Sequence, residues 1–509
     1  MAGVFSAGAW SGIAWLVYPL DDPYIHLAMA DSLAHHGVWG ITPYEFTSSS
    51  SSPLWTSLLA CSVFVFGNSE IIPLAWNLIL ASLVCLSVYG WLARMPLSKP
   101  LVFLFLLLFA FFVPLPALIY SGMEHSLHTL LSIWFAFLAA KALDSKETRR
   151  GRYLLPALAP LLVAARYEGL FLVATVVVLL LFRRRFRLAL VTGFLSLSGI
   201  TAIGLMAIHK GWHFFPNSLL MKGNLPDLNS MAGFLTFIST GPIQLLSNPH
   251  LMALMGILGF ALILHLKRGP RDKQSILFGP LIFLVTCTMH LQFARTGWLF
   301  RYEAYLVAMG MAAMIEPVYL LRKKLNGNWT RRLGFSLAVI TLCLMAIRAV
   351  ASVYLLPASS RSIHDQQIQT ARFLDRFYTG KTVALNDIGA PNHLADIHCV
   401  DLFGLADIEV LDLKNSGQYN RRAIDRITKE ANVEIAILYE EWFSKPSIGG
   451  LPENWFRVSR WTIQNNESCA FDGISFFATN RKAAVMLADR VRQFEPELPS
   501  GVKVEIFDF

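Results

Sequence analysis

The chain reads as an α-helical polytopic membrane protein of about eleven transmembrane helices, with a small C-terminal α/β domain outside the bilayer. Three observations predict this. Hydrophobic residues make up 55% of the 509 and charged residues only 15%, and the mean hydropathy is +0.50, which excludes a soluble globular enzyme. The apolar residues are gathered into long runs parted by short polar loops. Beyond residue 356 that pattern gives way to mixed polar and charged sequence. The net charge of +9 does not point to nucleic acid, because the basic residues sit in clusters between apolar runs, where they orient a membrane protein.

Residues 1–20 carry no charge and lack both the basic start and the small-residue cleavage site of a signal peptide, so they read as a retained first helix. Further crossings are expected at 71–93, 101–119, 126–143, 153–165, 169–182, 188–208, 249–266, 274–293, 303–321 and 333–356. Residues 52–67 are of span length, but Pro53 and a serine run open the segment and Trp55 marks an interfacial end. Charge decides its place. If it lies along the outer surface, alternate loops collect Arg94, Lys99, Lys146, Arg149, Arg150, Arg152, Arg183, Arg184, Arg185, Arg187, Lys267, Arg268, Arg271, Lys273, Arg322, Lys323, Lys324, Arg331 and Arg332. The opposite loops then hold only Arg166, Lys210, Lys222, Arg295 and Arg301, a ratio of 19 to 5. The N-terminus is accordingly cytoplasmic and the tail extracytoplasmic.

The expected division is a membrane domain at 1–356 and an α/β domain at 357–509. In the tail, strands are predicted at 382–385, 434–439 and 474–478, and helices at 363–378 and 421–431. Of six cysteines, four lie in apolar runs, while Cys399 and Cys469 lie in the tail and can pair if it is extracytoplasmic. No internal repeat is visible, which weakens an inverted-repeat transporter.

The outer loops hold the groups suited to chemistry. The first carries Asp21, Asp22, Tyr24, His26, Asp31, His35, His36 and Glu45, then the polar run 47–52. Next come Ser121-Gly122-Met123-Glu124-His125, Arg166-Tyr167-Glu168-Gly169, Pro216-Asn217-Ser218 with Lys222, and a loop from Arg295 to Arg301-Tyr302-Glu303. Two adjacent carboxylates beside a bilayer are costly unless water, a cation or a metal reaches them. Acids from the early loops and cations from the later ones suit a phosphorylated substrate attacked by a hydroxyl. A carboxylate takes the proton from the attacking oxygen, and Arg or Lys stabilises the departing phosphate.

Plainer readings stand beside each of these. An aspartate followed by Pro23 caps a helix, which explains one carboxylate better than two. The serine run is by default a flexible loop. Arg166 with Glu168 makes an ordinary ion pair, and Lys222, Arg295 and Arg301 can serve lipid headgroups. A transporter or flippase for lipid-linked or anionic solutes is the alternative in another class. It needs charge within the spans, and these are almost uncharged apart from Arg348 and Glu316.

Taken in order, the segments resemble the GT-C superfamily of integral-membrane glycosyltransferases, which use polyprenyl-phosphate sugars, and within it the bacterial arabinofuranosyltransferase-like branch. The matching pieces are Asp21-Asp22-Pro23-Tyr24, Ser52-Pro53-Leu54-Trp55, Ser121-Gly122-Met123-Glu124, Arg166-Tyr167-Glu168-Gly169, Pro216-Asn217-Ser218 through Lys222, and Arg301-Tyr302. In the tail, Asn386-Asp387-Ile388-Gly389-Ala390 and Asp401-Leu402-Phe403-Gly404-Leu405 fit as well. Tyr167 departs from the pattern, where Pro is more usual.

The resemblance implies a GT-C-like fold with juxtamembrane helices in the first outer loop, at the outer face of a bacterial inner membrane. It implies inverting transfer of a sugar, such as arabinofuranose, to a hydroxyl of a cell-envelope glycan, lipid or protein. Asp21 or Asp22 would be the general base, and Arg166, Lys222 and Arg301 would hold the donor phosphate. Glu124, His125, Tyr24 and Glu168 would orient the acceptor. A divalent cation (Mg or Mn), if one is used, would rest on Asp22 and Glu124. Asp387 and Asp401 read as supports of the tail fold, and Gly389 as a turn former.

Overall fold

The computed structural model describes residues 16–144, 149–222, 230–268, 277–321 and 328–509. The first helix expected at 1–20 lies for the most part outside the described residues. Two helices come first, Asp22–His36 and Pro53–Phe66, and they pack against each other. Ser52 caps the second by accepting the Trp55 N–H at 3.3 Å, and Trp55 is fully buried. The segment 52–67 is thus a helix of 14 residues, lying ahead of the first long apolar one.

Among the described residues, five helices are long and apolar enough to cross a membrane, beginning at Ile71, His125, Phe186, Pro249 and Trp329. Seven shorter apolar helices accompany them. The run 101–119, expected as one crossing, is broken into Lys99–Phe112 and Leu115–Tyr120. Pro114 and Pro116 remove two amide donors there. A helix at Met231–Ser247 is absent from the expected crossings, because Thr236, Ser239, Thr240, Gly241 and Pro242 interrupt its apolar run.

The helix Asn328–Ile363 passes through Pro357 and leads by a π-helical turn, His364–Ile368, into Gln369–Tyr378. The boundary expected between 356 and 357 therefore falls inside a helix, with no linker. The tail then forms one six-stranded sheet in the order β2-β1-β3-β5-β4-β6. Its strands are β1 (Thr382–Leu385), β2 (His398–Asp401), β3 (Ile435–Leu438), β4 (Phe456–Ile463), β5 (Gly473–Ala478) and β6 (Val502–Ile506). β1 runs parallel to β2 and β3, whereas β5, β4 and β6 add in antiparallel fashion. The three predicted strands are β1, β3 and β5. The helix predicted at 421–431 is Arg421–Glu430.

The sheet does not stand apart from the membrane part. Ile25, Met29, Trp39 and Ile41 of the first loop share one apolar core with Phe373, Val383, Ile435, Trp461 and Phe476 of the tail. Cys399 and Cys469 are both free, so the pairing that the sequence left open is not made. Cys399 lies on edge strand β2, whereas Cys469 precedes β5 and turns its thiol to the Ser362 carbonyl.

Candidate active site

A cavity of about 390 Å³ opens among the loops expected to carry the chemistry. Much of its wall is apolar, with Ile25, Phe171, Phe215, Leu219, Leu220 and Phe293. Its charged lining is three guanidiniums, from Arg166, Arg295 and Arg301, against two carboxylates, from Asp22 and Glu168. That balance favours an anion with a greasy tail.

The structure separates the two adjacent aspartates. Asp22 opens helix Asp22–His36 and lines the cavity, where Arg301 Nη2 donates to its Oδ2. Asp21 sits at the N-cap position, but its carboxylate makes no cap to its own helix. It turns instead to the tail and accepts the N–H groups of Gly389 at 2.6 Å and Ala390 at 2.8 Å. Beside it Asp387 shares a hydrogen bond with Asp21 and accepts from Gln367 Nε2 at 2.8 Å. Burial, and then the charge of each on the other, pushes the Asp387 carboxyl well up, and burial likewise raises Asp21. Gly389 is there for close approach and not for a turn, because a Cβ on it would collide with the main chain and carboxylate of Asp21. Asp401 is a fold support: it accepts from Phe403 N and Ala406 N, each at 2.7 Å.

Arg166 follows the end of helix Arg149–Ala165 and is almost wholly matched within the protein. Its Nε and Nη2 donate to Glu168 at 3.2 and 2.5 Å, Nη1 pairs with Glu124, and His125 Nε2 lies 3.0 Å from Nη1. Burial opposes charge on Glu168, yet the adjoining Arg166 outweighs it and holds that carboxyl at about 2. Glu124 and His125 are buried behind this pair and do not line the cavity. Tyr24 lies farther off, its hydroxyl taking the Tyr18 N–H at 3.1 Å.

Arg301 differs. It is 2% exposed and spends Nη2 on Asp22 and on the Tyr302 hydroxyl at 3.2 Å. Its Nε and Nη1 are buried with no hydrogen-bond partner. A buried guanidinium left with free donors is costly, and here it borders a cavity. Lys222 closes the short helix Asn217–Lys222, but its side chain lies outside the described residues.

Three further groups of the wall come from the loops named in the sequence, where they were given no part in catalysis. Arg295 is exposed and lines the cavity. His26, one helical turn after Asp22, faces the cavity with Nδ1 3.0 Å from Thr56 Oγ1; the i, i+4 spacing puts it on the same helix face as Asp22. Ser49, Ser50 and Ser51 also line it. The serine run is no loose loop, since Ser50 Oγ lies 2.9 Å from Thr56 Oγ1 and Asn217 N donates to the Ser48 carbonyl at 2.9 Å.

The donor set does not suit a divalent cation on Asp22 and Glu124. Each carboxylate is turned to its own guanidinium. No group of three or more His, Cys, Asp or Glu placed to hold a metal occurs among the described residues.

ArnT from Cupriavidus metallidurans, solved bound to undecaprenyl phosphate, superposes with a TM-score of 0.50 at 12% identity, over 91% of this chain and 94% of that one. The two folds are alike. The likeness to ArnT agrees with the GT-C reading at the level of fold. An Archaeoglobus fulgidus oligosaccharyltransferase is also similar, with a TM-score of 0.45 at 10% identity over 92% of this chain and 71% of that one. No curated protein matches the sequence. Residues 361–483 match a family described as a domain of unknown function (DUF8728).

Proposed function

We propose that the protein is an inverting GT-C glycosyltransferase acting at the outer face of a bacterial inner membrane. It moves a sugar, a pentofuranose such as arabinofuranose, from a polyprenyl phosphate to a hydroxyl of a cell-envelope glycan, lipid or protein. Residues 1–356 form the catalytic membrane domain and 357–509 the extracytoplasmic domain. The observation that carries the reading is Arg301. It pins Asp22 with one nitrogen and keeps two buried N–H-bearing nitrogens free beside an apolar-walled cavity. A phosphate on those donors places a lipid-linked sugar next to the carboxylate.

The acceptor oxygen then attacks the anomeric carbon, and its proton passes to Asp22. The bond from that carbon to the phosphate oxygen breaks, and polyprenyl phosphate leaves with the electron pair, its charge met by Arg301 and Arg295. One displacement inverts the anomeric centre and needs no second acid. Arg166 contributes by fixing Glu168 and Glu124. The apolar wall receives the start of the prenyl chain, as the bound lipid of the ArnT structure encourages.

The test is to offer purified protein polyprenyl-phosphate pentoses and hexoses with an envelope-derived acceptor. Sugar transfer with release of polyprenyl phosphate is expected. Transport of a lipid-linked solute with no transfer from any donor overturns the reading.

A further inference from the structure

Between Arg332 and Arg361 the long helix Asn328–Ile363 carries a single charge, Arg348. An isolated guanidinium inside an apolar helix is expensive and calls for a reason. Arg348 is 3% exposed, and it reaches across the bundle. Nη1 donates to the Phe112 carbonyl at 2.6 Å, and Nη2 donates to the Phe300 carbonyl at 2.7 Å and to Glu303 Oε1 at 3.1 Å.

Those partners belong to an unusual piece of backbone. Gly297, Trp298, Leu299 and Phe300 all have positive φ, at 86°, 49°, 60° and 59°. Four consecutive left-handed residues, three of them bulky, are unfavourable for L-amino acids and persist only where the surroundings impose them. Here they do. Glu303 accepts the Gly297 N–H at 2.8 Å, at the start of the turn, and Arg348 holds the Phe300 carbonyl at its end. One buried ion pair, Arg348–Glu303, thus closes the turn from both sides, and the next residue is Arg301.

We propose that Arg348 is a positioning residue of the donor site. By holding the left-handed turn 297–300 through Phe300 and Glu303, it aims the Arg301 guanidinium into the cavity. This rests on the reading that Arg301 takes the donor phosphate. Because Arg348 touches neither Asp22 nor the cavity lining, its effect passes through the backbone that precedes Arg301.

The experiment titrates the purified full chain in detergent with a short-chain polyprenyl monophosphate lacking sugar, for R301Q, R348K and the double variant. A lysine keeps the charge opposite Glu303 but cannot serve two carbonyls and a carboxylate in one plane. R348K is expected to weaken binding roughly tenfold, in keeping with the loss of charge-assisted hydrogen bonds. In the R301Q background the same change is expected to add nothing, because the residue it aims is gone. Glu303→Gln, which leaves side-chain size nearly unaltered, is expected to reproduce R348K and serves if that variant folds poorly.

Equal binding by R348K and the native chain, or additive losses in the double variant, overturns the positioning role. If R301Q itself binds like the native chain, the donor-phosphate reading falls, and this inference with it. If R301Q fails to bind while R348K and E303Q bind normally, only the inference falls.

Discussion

Arg166 and Arg301 stand on the same cavity wall, both buried, yet the protein treats them in opposite ways. Arg166 is surrounded by Glu124, Glu168 and His125, so that nearly every donor is answered from within. Arg301 is answered on one nitrogen only and leaves two unmet. The adjacent aspartates repeat the contrast: Asp21 is spent on two tail amides, whereas Asp22 faces the cavity. A buried charge that the fold satisfies fully serves architecture. One that the fold leaves short of partners is where a ligand is awaited.

The sharpest way to break this contrast is to neutralise each aspartate. Asp22→Asn is expected to lower transfer by about 10²–10⁴-fold, measured as product formed by protein whose membrane insertion is unchanged. Asp21→Asn is expected to leave turnover within a few fold and to loosen the tail, read as faster proteolysis after residue 363. Equal catalytic losses from both substitutions would erase the distinction.

The arginines come next. Arg166→Gln strands Glu124 and Glu168 and is expected to cost about 3–5 kcal/mol of stability, seen in thermal melting. Arg301→Gln is expected to spare most of that stability and to raise the Kd for polyprenyl phosphate by about ten- to a hundredfold. The reverse pattern would mean that Arg166 is the phosphate ligand.

A smaller effect is expected at the docking face. Gly389→Ala forces a methyl group into Asp21 and is expected to cost roughly 1–3 kcal/mol, measured by melting, with donor affinity retained.

The smallest is a pH dependence. Burial raises the native pKa of Asp21, to about 6, and that of Asp387, above the unfolded value of about 3.9. Their contribution to docking is therefore whole at low pH and fades as pH climbs from about 4 through the native values. Asp387→Asn is expected to flatten the fall in tail protection as pH rises above about 4, followed by amide exchange of β1. An unchanged slope would detach the carboxyl pair from docking.

Much of the fold was legible before any coordinates. Apolar run length announced the helices, and short strand-like runs of β-branched or aromatic residues announced β1, β3 and β5. Strand β2 was missed because His398–Asp401 is short and half polar, and helix Met231–Ser247 because its serines, threonines and proline hide its apolar side. The loops of the cavity could be named in advance, as Asp22, Arg166, Glu168 and Arg301 show. Which member of a pair faces inward could not. Successive residues on a helix point about 100° apart, so Asp21 and Asp22 diverge for reasons a linear string does not carry. Arg348 was visible as a lone cation, but its partners at 112, 300 and 303 are set only by packing.

The two amides that receive Asp21 lie 368 and 369 residues further along the chain. The apolar side chains Ile25, Met29, Trp39 and Ile41 are therefore covered only once the sheet bearing Val383, Ile435, Trp461 and Phe476 has folded over them. A contact of that sequence separation carries a loop-closure cost that the shared apolar core must offset, so loosening that core should free the opening loop and the sheet together.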